Sequence, residues 1–306
     1  MKALLLVLSS IFFASVAISQ PELSPSGVEK IKILSWNIYM LPGLLAPGKI
    51  PRADAIGNLL ANSDYDVIVF QEAFHKRSRN TLSRLLSPAF PFQEGPANQK
   101  LFSVKTNSGL WIFSKYPITE MHSIIYNTRH GWDAFSRKGA LLIEISVNGS
   151  PLQIIGTHLQ NAGVEWRRQS QCAELFDRLL RKYEKPGIPQ IVCGDFNIEK
   201  YGEQKNYDQM LQTLDASDGE VSSDRKFSFD CVSNDLQPEG KQQNLIDYIL
   251  VRPNQSMIRT SDRRIQAHQK QWHIAHKDLS DHYSIETEIH YQGHAGFYTV
   301  SAPGSR

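Results

Sequence analysis

The chain has 306 residues, 41% of them hydrophobic, and 33 basic against 31 acidic side chains give it a formal net charge of +2. That length and apolar share suit one two-sheet domain, while the balanced charge excludes a strong field for drawing in nucleic acid. Three cysteines cannot all pair within one chain, and the lack of paired cysteines argues against a zinc site.

Residues 1–19 begin with Lys2, run apolar from Leu4 to Ile18, and place Ala17 and Ser19 where a signal peptidase reads small residues. A cleaved signal peptide is expected, followed by a flexible segment at 20–30, a catalytic domain at 31–292 and a tail at 293–306. Losing Lys2 takes the charge from +2 to +1. The apolar run is short for a bilayer span, so no transmembrane segment is expected and the mature chain is read as secreted or periplasmic. A monomer is expected.

In chain order, 31–38 reads as a strand, a helix follows with Pro51 in its first turn and Ala55, Ile56, Leu59 and Leu60 as its stripe, and 66–70 is a short buried strand. A second helix is expected near 78–86. Strands follow at 109–113, 140–147 and 152–158, the last two joined by a hairpin at Asn148-Gly149. A long helix at 164–183 buries Cys172, Phe176, Leu179 and Leu180. Strands at 190–193, near 227–232, at 245–251 and at 283–290, with a helix near 207–214, complete the pattern. Hairpins and helix-linked strands together imply an α/β sandwich of two mixed sheets packed face to face with helices outside.

Polar residues collect at the C-terminal ends of these apolar runs. Glu72 follows a buried strand and is the first choice for a hard-metal ligand; Asn37 offers an uncharged oxygen and two amide donors. In Gly194-Asp195-Phe196-Asn197 the acid and the amide emerge two residues apart on one side of an extended segment. Asp195 is suited to orient an attacking water, and Asn197 to meet developing negative charge. His158, ending Gly156-Thr157-His158, is a candidate donor to a phosphate oxygen. His282 is the candidate base, with Asp247 a carboxylate able to hold its tautomer. The histidines at 75, 122, 130, 268, 273, 276, 290 and 294 read as surface residues.

The ordered set Trp36-Asn37, Gln71-Glu72, the stretch from Gly109 to Pro117, Gly156-Thr157-His158, Gly194-Asp195-Phe196-Asn197, Asp247-Tyr248 and Ser280-Asp281-His282 resembles the endonuclease/exonuclease/phosphatase superfamily. The resemblance implies a four-layered α/β sandwich and phosphoester hydrolysis assisted by Mg2+, with Mn2+ or Co2+ as possible substitutes. It also implies a metal set drawn from Glu72, Asn37, Asp195, Asn197, Asp281 and His282. Asp281 with His282 would complete the base, and His158 would contact phosphate.

The stretch Asp133-Ala134-Phe135-Ser136-Arg137-Lys138-Gly139 is similar to a segment of neutral sphingomyelinases, including the secreted bacterial enzymes. On that resemblance Lys138, Asp133 and Ser136 join Asn197 and His158 as substrate-binding residues. The expected substrate is a sphingolipid at a membrane surface, hydrolysed to ceramide and the phosphorylated head group. An endonuclease of the same superfamily is the enzyme alternative, although no basic, aromatic-interleaved track is present and no stable nucleic-acid partner is expected. A non-enzymatic binding protein would require a lost catalytic position. Where the bacterial enzymes carry an aromatic hairpin, residues 266–277 here are mostly polar, with Trp272 and Ile274 the only large apolar residues.

Overall fold

The computed structural model describes residues 27–100, 105–131, 135–161 and 163–293. The expected signal peptide, Asp133 and residues 294–306 of the tail lie outside the described residues. In chain order the elements are β1 (Val28–Met40), α1 (Lys49–Ala61), β2 (Val67–Ala73), α2 (Lys76–Leu86), β3 (Phe92–Glu94), β4 (Trp111–Ser114), β5 (Ile118–Ile125), β6 (Gly139–Val147) and β7 (Ser150–His158). There follow α3 (Glu165–Leu175), a π-helical turn (Phe176–Leu180), α4 (Arg181–Tyr183), β8 (Gln190–Asp195) and α5 (Gln204–Leu214). The last part gives β9 (Phe229–Asp230), β10 (Gln243–Asn244), β11 (Asp247–Arg252), β12 (Ile258–Thr260), β13 (Arg264–Gln266), β14 (Gln269–His273), β15 (His276–Asp278) and β16 (Ser284–Gln292).

Two mixed sheets carry the fold. One runs β12-β16-β1-β2-β4-β3, with β13 also paired to β16; the other runs β11-β8-β7-β6-β5. Side chains alternate between faces of a strand, so Ile33, Val67, Val69 and Ile112 of the first sheet meet Ile143, Ile154, Cys193 and Ile249 of the second in one apolar layer. The opposite faces are equally apolar. Leu34, Ile68 and Phe70 pack with Ile56 and Leu60 of α1 and Leu82 of α2, and Leu142, Ile155 and Val192 pack with Cys172, Leu179 and Met210. Helix, sheet, sheet and helix therefore form the four layers implied by the resemblance.

The hairpin at Asn148-Gly149 is present, both residues taking the positive φ that its tight turn demands. Several elements differ from the sequence reading. The strand expected near 227–232 shrinks to β9, because the Asp230 carboxylate accepts from the Val232 backbone N–H at 2.9 Å and turns the chain away. The helix expected at 164–183 is interrupted by the π turn. β5 was not anticipated; its alternating half-exposed pattern marks an edge strand on β6. His268 is no surface residue, since its ring lies 4.7 Å from that of Trp36 and its Nε2 is 2.9 Å from Ser284 Oγ. All three cysteines are free, with Cys172 and Cys193 buried.

Candidate active site

The apolar layer between the sheets ends in a polar row. β7 runs parallel to β8 with His158 opposite Asp195, and β11 runs antiparallel to β8 with Asp247 opposite Asp195. All three share the parity of Ile154, Cys193 and Ile249, so they point into the space between the sheets. Gly194 makes the row possible. A Cβ there would lie 2.1 Å from the Thr157 carbonyl oxygen, so any other residue would push β7 and β8 apart.

The facing sheet supplies the opposite wall. Ser35, Asn37 and Gln71 continue the inward face of Ile33 and Val69, with Asn37 opposite Gln71 in the register of β1 and β2. Asn37 Nδ2 donates to Asp195 Oδ2 at 3.1 Å and ties one sheet to the other. Strict alternation would send Glu72 toward the helices with Phe70. Instead the register of β1 and β2 shifts between Asn37 and Met40, and Glu72 takes a φ of 57°. That left-handed backbone turns its carboxylate into the cleft.

The third contribution is the segment Ser280-Asp281-His282 ahead of β16. Ser280 Oγ donates to the Asn37 carbonyl at 2.6 Å, and the Trp36 indole Nε1 donates to the His282 carbonyl at 2.9 Å. His282 Nδ1 lies 2.8 Å from Asp247 Oδ2, while its Nε2 lies 3.9 Å from Asp195 Oδ2. The edge of its ring meets Phe229 at a centroid distance of 5.3 Å. Asp247 thus fixes the ring and leaves Nε2 facing the cleft, the arrangement a general base needs.

These groups line a cleft of about 470 Å³ that brings together Asn37, Glu72, Lys138, His158, Asp195, Asn197, Asp281 and His282. Burial and then the Asp281 charge push the Glu72 carboxyl up to about 8. Burial and then Asp247 push Asp195 up to about 7. Burial also raises Asp281, against the lowering by His282 and Arg52. For His282, burial pulls the pKa down, but Asp247, Asp195 and Asp281 outweigh it and hold it well above the ordinary value. His158 is held well below its usual value by burial, Lys138 and His282, so it is neutral. Crowded, dehydrated carboxylates of this kind are what a hard divalent cation relieves.

Asp247 Oδ1 is buried and has no hydrogen-bond partner among the described residues, and ligand atoms of Asp195, Asp247 and His282 lie within 4.8 Å of one another. Two uses compete for this group. The short His282–Asp247 hydrogen bond favours a shared proton there over a shared cation.

Lys138 is buried, with Nζ 3.0 Å from both His158 Nε2 and the Leu159 carbonyl. His158 Nε2 is therefore engaged with Lys138, and with Asp195 at 3.4 Å, rather than open to a phosphate. Asn197 has a φ of 53° and takes Asp195 Oδ1 on its backbone N–H at 3.0 Å, with its amide on the Leu159 carbonyl at 3.3 Å. Ser136 lines an adjoining apolar trough, which shares Glu72 and Lys138 with the polar cleft. Asp133 lies outside the described residues.

Sequence reasoning missed Arg52. Its fully buried guanidinium donates to the carbonyls of Pro47, Ile38, Leu279 and Tyr39 at 2.7–3.0 Å, joining α1, the end of β1 and the segment carrying Asp281 and His282. A signal was present. Arg52 shares a helical face with Ile56 and Leu60, and a charge on an apolar stripe must find partners inside.

Residues 34–282 match the Endonuclease/Exonuclease/phosphatase family. The chain is 27% identical to a phospholipase C of Staphylococcus aureus, the match covering 84% of this chain and 86% of that protein. It is 26% identical to a sphingomyelinase C of Bacillus cereus, covering 89% and 92%. Among solved structures, a beta toxin variant from Staphylococcus aureus with bound magnesium ions superposes with a TM-score of 0.76 at 25% identity, covering 85% of this chain and 99% of that one. Sheet order, polar row and sequence match together place this chain in the endonuclease/exonuclease/phosphatase family.

Proposed function

We propose that this protein is a magnesium-dependent phosphodiesterase that hydrolyses sphingomyelin, or a related phosphosphingolipid, to ceramide and the phosphorylated head group. The observation carrying this reading is the polar row His158, Asp195 and Asp247, closed from the other sheet by Asn37 and Glu72. In its neutral form His282 takes the proton of the attacking water on Nε2, Asp247 stabilises the resulting imidazolium, and Asp195 orients the water. Lys138 and Asn197 offset the negative charge developing on the phosphate oxygens. Glu72 and Asn37, with Asp281 close to Glu72, would hold the magnesium ion, which supplies further positive charge to those oxygens.

The lipid branch is supported by the sphingomyelinase C and phospholipase C names of relatives that the chain matches over most of their length. An apolar trough opening beside Glu72 and Lys138 favours a lipid over a nucleic-acid strand. Export after cleavage at residue 19 belongs to the same proposal. No helix among the described residues is long and apolar enough to cross a membrane. The test offers sphingomyelin, phosphatidylcholine, inositol phosphates and duplex DNA to the purified protein with magnesium. Release of the phosphorylated head group from sphingomyelin is expected; DNA nicking without lipid turnover would overturn the reading.

A further inference from the structure

Beside the polar cleft lies a second cavity of about 520 Å³ lined by Leu41, Pro42, Leu45, Phe74 and Phe135, among others. The two cavities share Leu41, Glu72 and Lys138, so a diester bound at Glu72 and Lys138 has one substituent directed along an apolar wall. Of the residues lining the trough, Leu45 is 70% and Phe135 60% exposed, and the neighbouring Leu44 is 100% exposed. Exposed leucines on a mobile loop would mean little, but this loop is pinned. Lys49 Nζ donates to the Gly43 carbonyl at 2.6 Å and Arg52 Nε to the Pro47 carbonyl at 3.0 Å. Gly48, with a φ of 55°, sits so close to the Trp272 ring that a Cβ would lie 2.0 Å from it. The fold therefore holds Leu44 and Leu45 outward instead of letting them collapse onto the core, and water contact with both carries a standing free-energy cost.

We propose that the loop between β1 and α1 is the element that enters a lipid bilayer, with Leu44 and Leu45 inserted among the acyl chains and the trough guiding the apolar end of the substrate to the cleft. The inference rests on the lipid reading above and names the surface that serves it. Its occupant is a bilayer lipid, because the trough is apolar while the cavity joined to it is charged, the polarity sequence of a phospholipid from tail to head group. The hairpin of β14 and β15 contributes less. It lifts a single large apolar side chain, Ile274, into solvent at 94% exposure, between polar strands.

The test compares wild type, the double variant Leu44→Ser/Leu45→Ser and the variant Ile274→Ser by sedimentation with vesicles of sphingomyelin and phosphatidylcholine. Rates are measured in parallel on those vesicles and on a soluble aryl phosphodiester. Each buried leucine transfers with about tenfold or more in favour of the apolar phase, so the double variant is expected to lose on the order of a hundredfold in vesicle binding. Its rate on vesicles should fall in step, and its melting temperature should stay near wild type. Equal vesicle binding by wild type and the double variant overturns the proposal, as does loss of binding on Ile274→Ser with the double variant unaffected. Sedimentation reads the surface without reference to turnover. Failure of the lipid-hydrolysis reading is therefore recognised separately, by a wild type that turns over the soluble diester but not sphingomyelin.

Discussion

Trp36 donates its indole N–H to the backbone carbonyl of His282 at 2.9 Å, across 246 residues of sequence. The bond fixes the height of the base above the cleft floor, and both of its atoms are buried. Trp36→Phe keeps most of the apolar packing but leaves that carbonyl without its partner, which costs about 1–3 kcal/mol of stability. Turnover is expected to fall about tenfold or more through a displaced imidazole, with magnesium affinity little changed. Denaturant melts, titration calorimetry and initial rates on one preparation check all three outcomes.

Asp247→Asn tests the base more directly. The amide cannot stabilise the imidazolium and can hold His282 in the wrong tautomer, so turnover should drop by roughly two to four powers of ten. The fold should persist, because the side chain is isosteric. A rate within twofold of wild type would remove Asp247 from the assignment.

Glu72→Gln should abolish most of the magnesium dependence. A neutral amide is a poorer ligand for a hard cation, and it no longer needs a cation to relieve its burial beside Asp281. In wild type, magnesium at a hundred times its dissociation constant stabilises the fold by about 2.7 kcal/mol. The expected readout is a magnesium-induced rise in melting temperature for wild type that is lost in Glu72→Gln. A rise that survives the substitution would place the cation elsewhere, on the Asp195, Asp247 and His282 side.

Lys138→Ala removes the buried cation 3.0 Å from His158 Nε2. Without it the phosphate loses a compensating charge, and His158, relieved of one of the two positive groups near it, becomes easier to protonate. Turnover is expected to fall by two or more powers of ten while calorimetric magnesium affinity stays close to wild type. Wild-type rates would return Lys138 to a structural part beside Leu159.

His268 predicts the acid limb of stability. Burial lowers its pKa to about 4, so the unfolded chain binds a proton that the folded chain does not between roughly pH 6.5 and pH 4. Its contribution is fully present above pH 6.5 and is lost as the pH falls through that window, at up to about 1.4 kcal/mol per pH unit. His268→Gln, which can keep a bond to Ser284, should flatten the stability curve there. An unchanged slope in denaturant titrations at pH 4.5, 5.5 and 6.5 would assign the acid sensitivity to other groups.

Much of the fold was legible because its strands obey a single rule. Ile31, Ile33 and Ser35 on one face, with Leu34 and Trp36 on the other, announce a strand covered on both sides, and Asn148-Gly149 announces its hairpin. The candidate site residues Asn37, Glu72, His158, Asp195 and His282 were legible as polar side chains at the ends of such strands. What stayed hidden depends on pairing across the sequence. Periodicity does not reveal that His158, Asp195 and Asp247 share one row, nor that a register shift turns Glu72 inward. The bond of Arg52 to the Leu279 carbonyl and the contact of His268 with Trp36 were hidden for the same reason, since each joins segments far apart in sequence.

The single row of His158, Asp195 and Asp247 bears on how the site comes into being during folding. Its members sit on three strands, β7, β8 and β11, and a slip of one residue in β8 would turn Asp195 toward the helix layer and Phe196 into the cleft. Asn37 and Glu72 come from the other sheet, so the complete site exists only when both sheets are formed and packed. Activity should therefore vanish over the same denaturant range in which the whole tertiary structure melts, without an earlier local loss, making catalysis a faithful gauge of the cooperative native population.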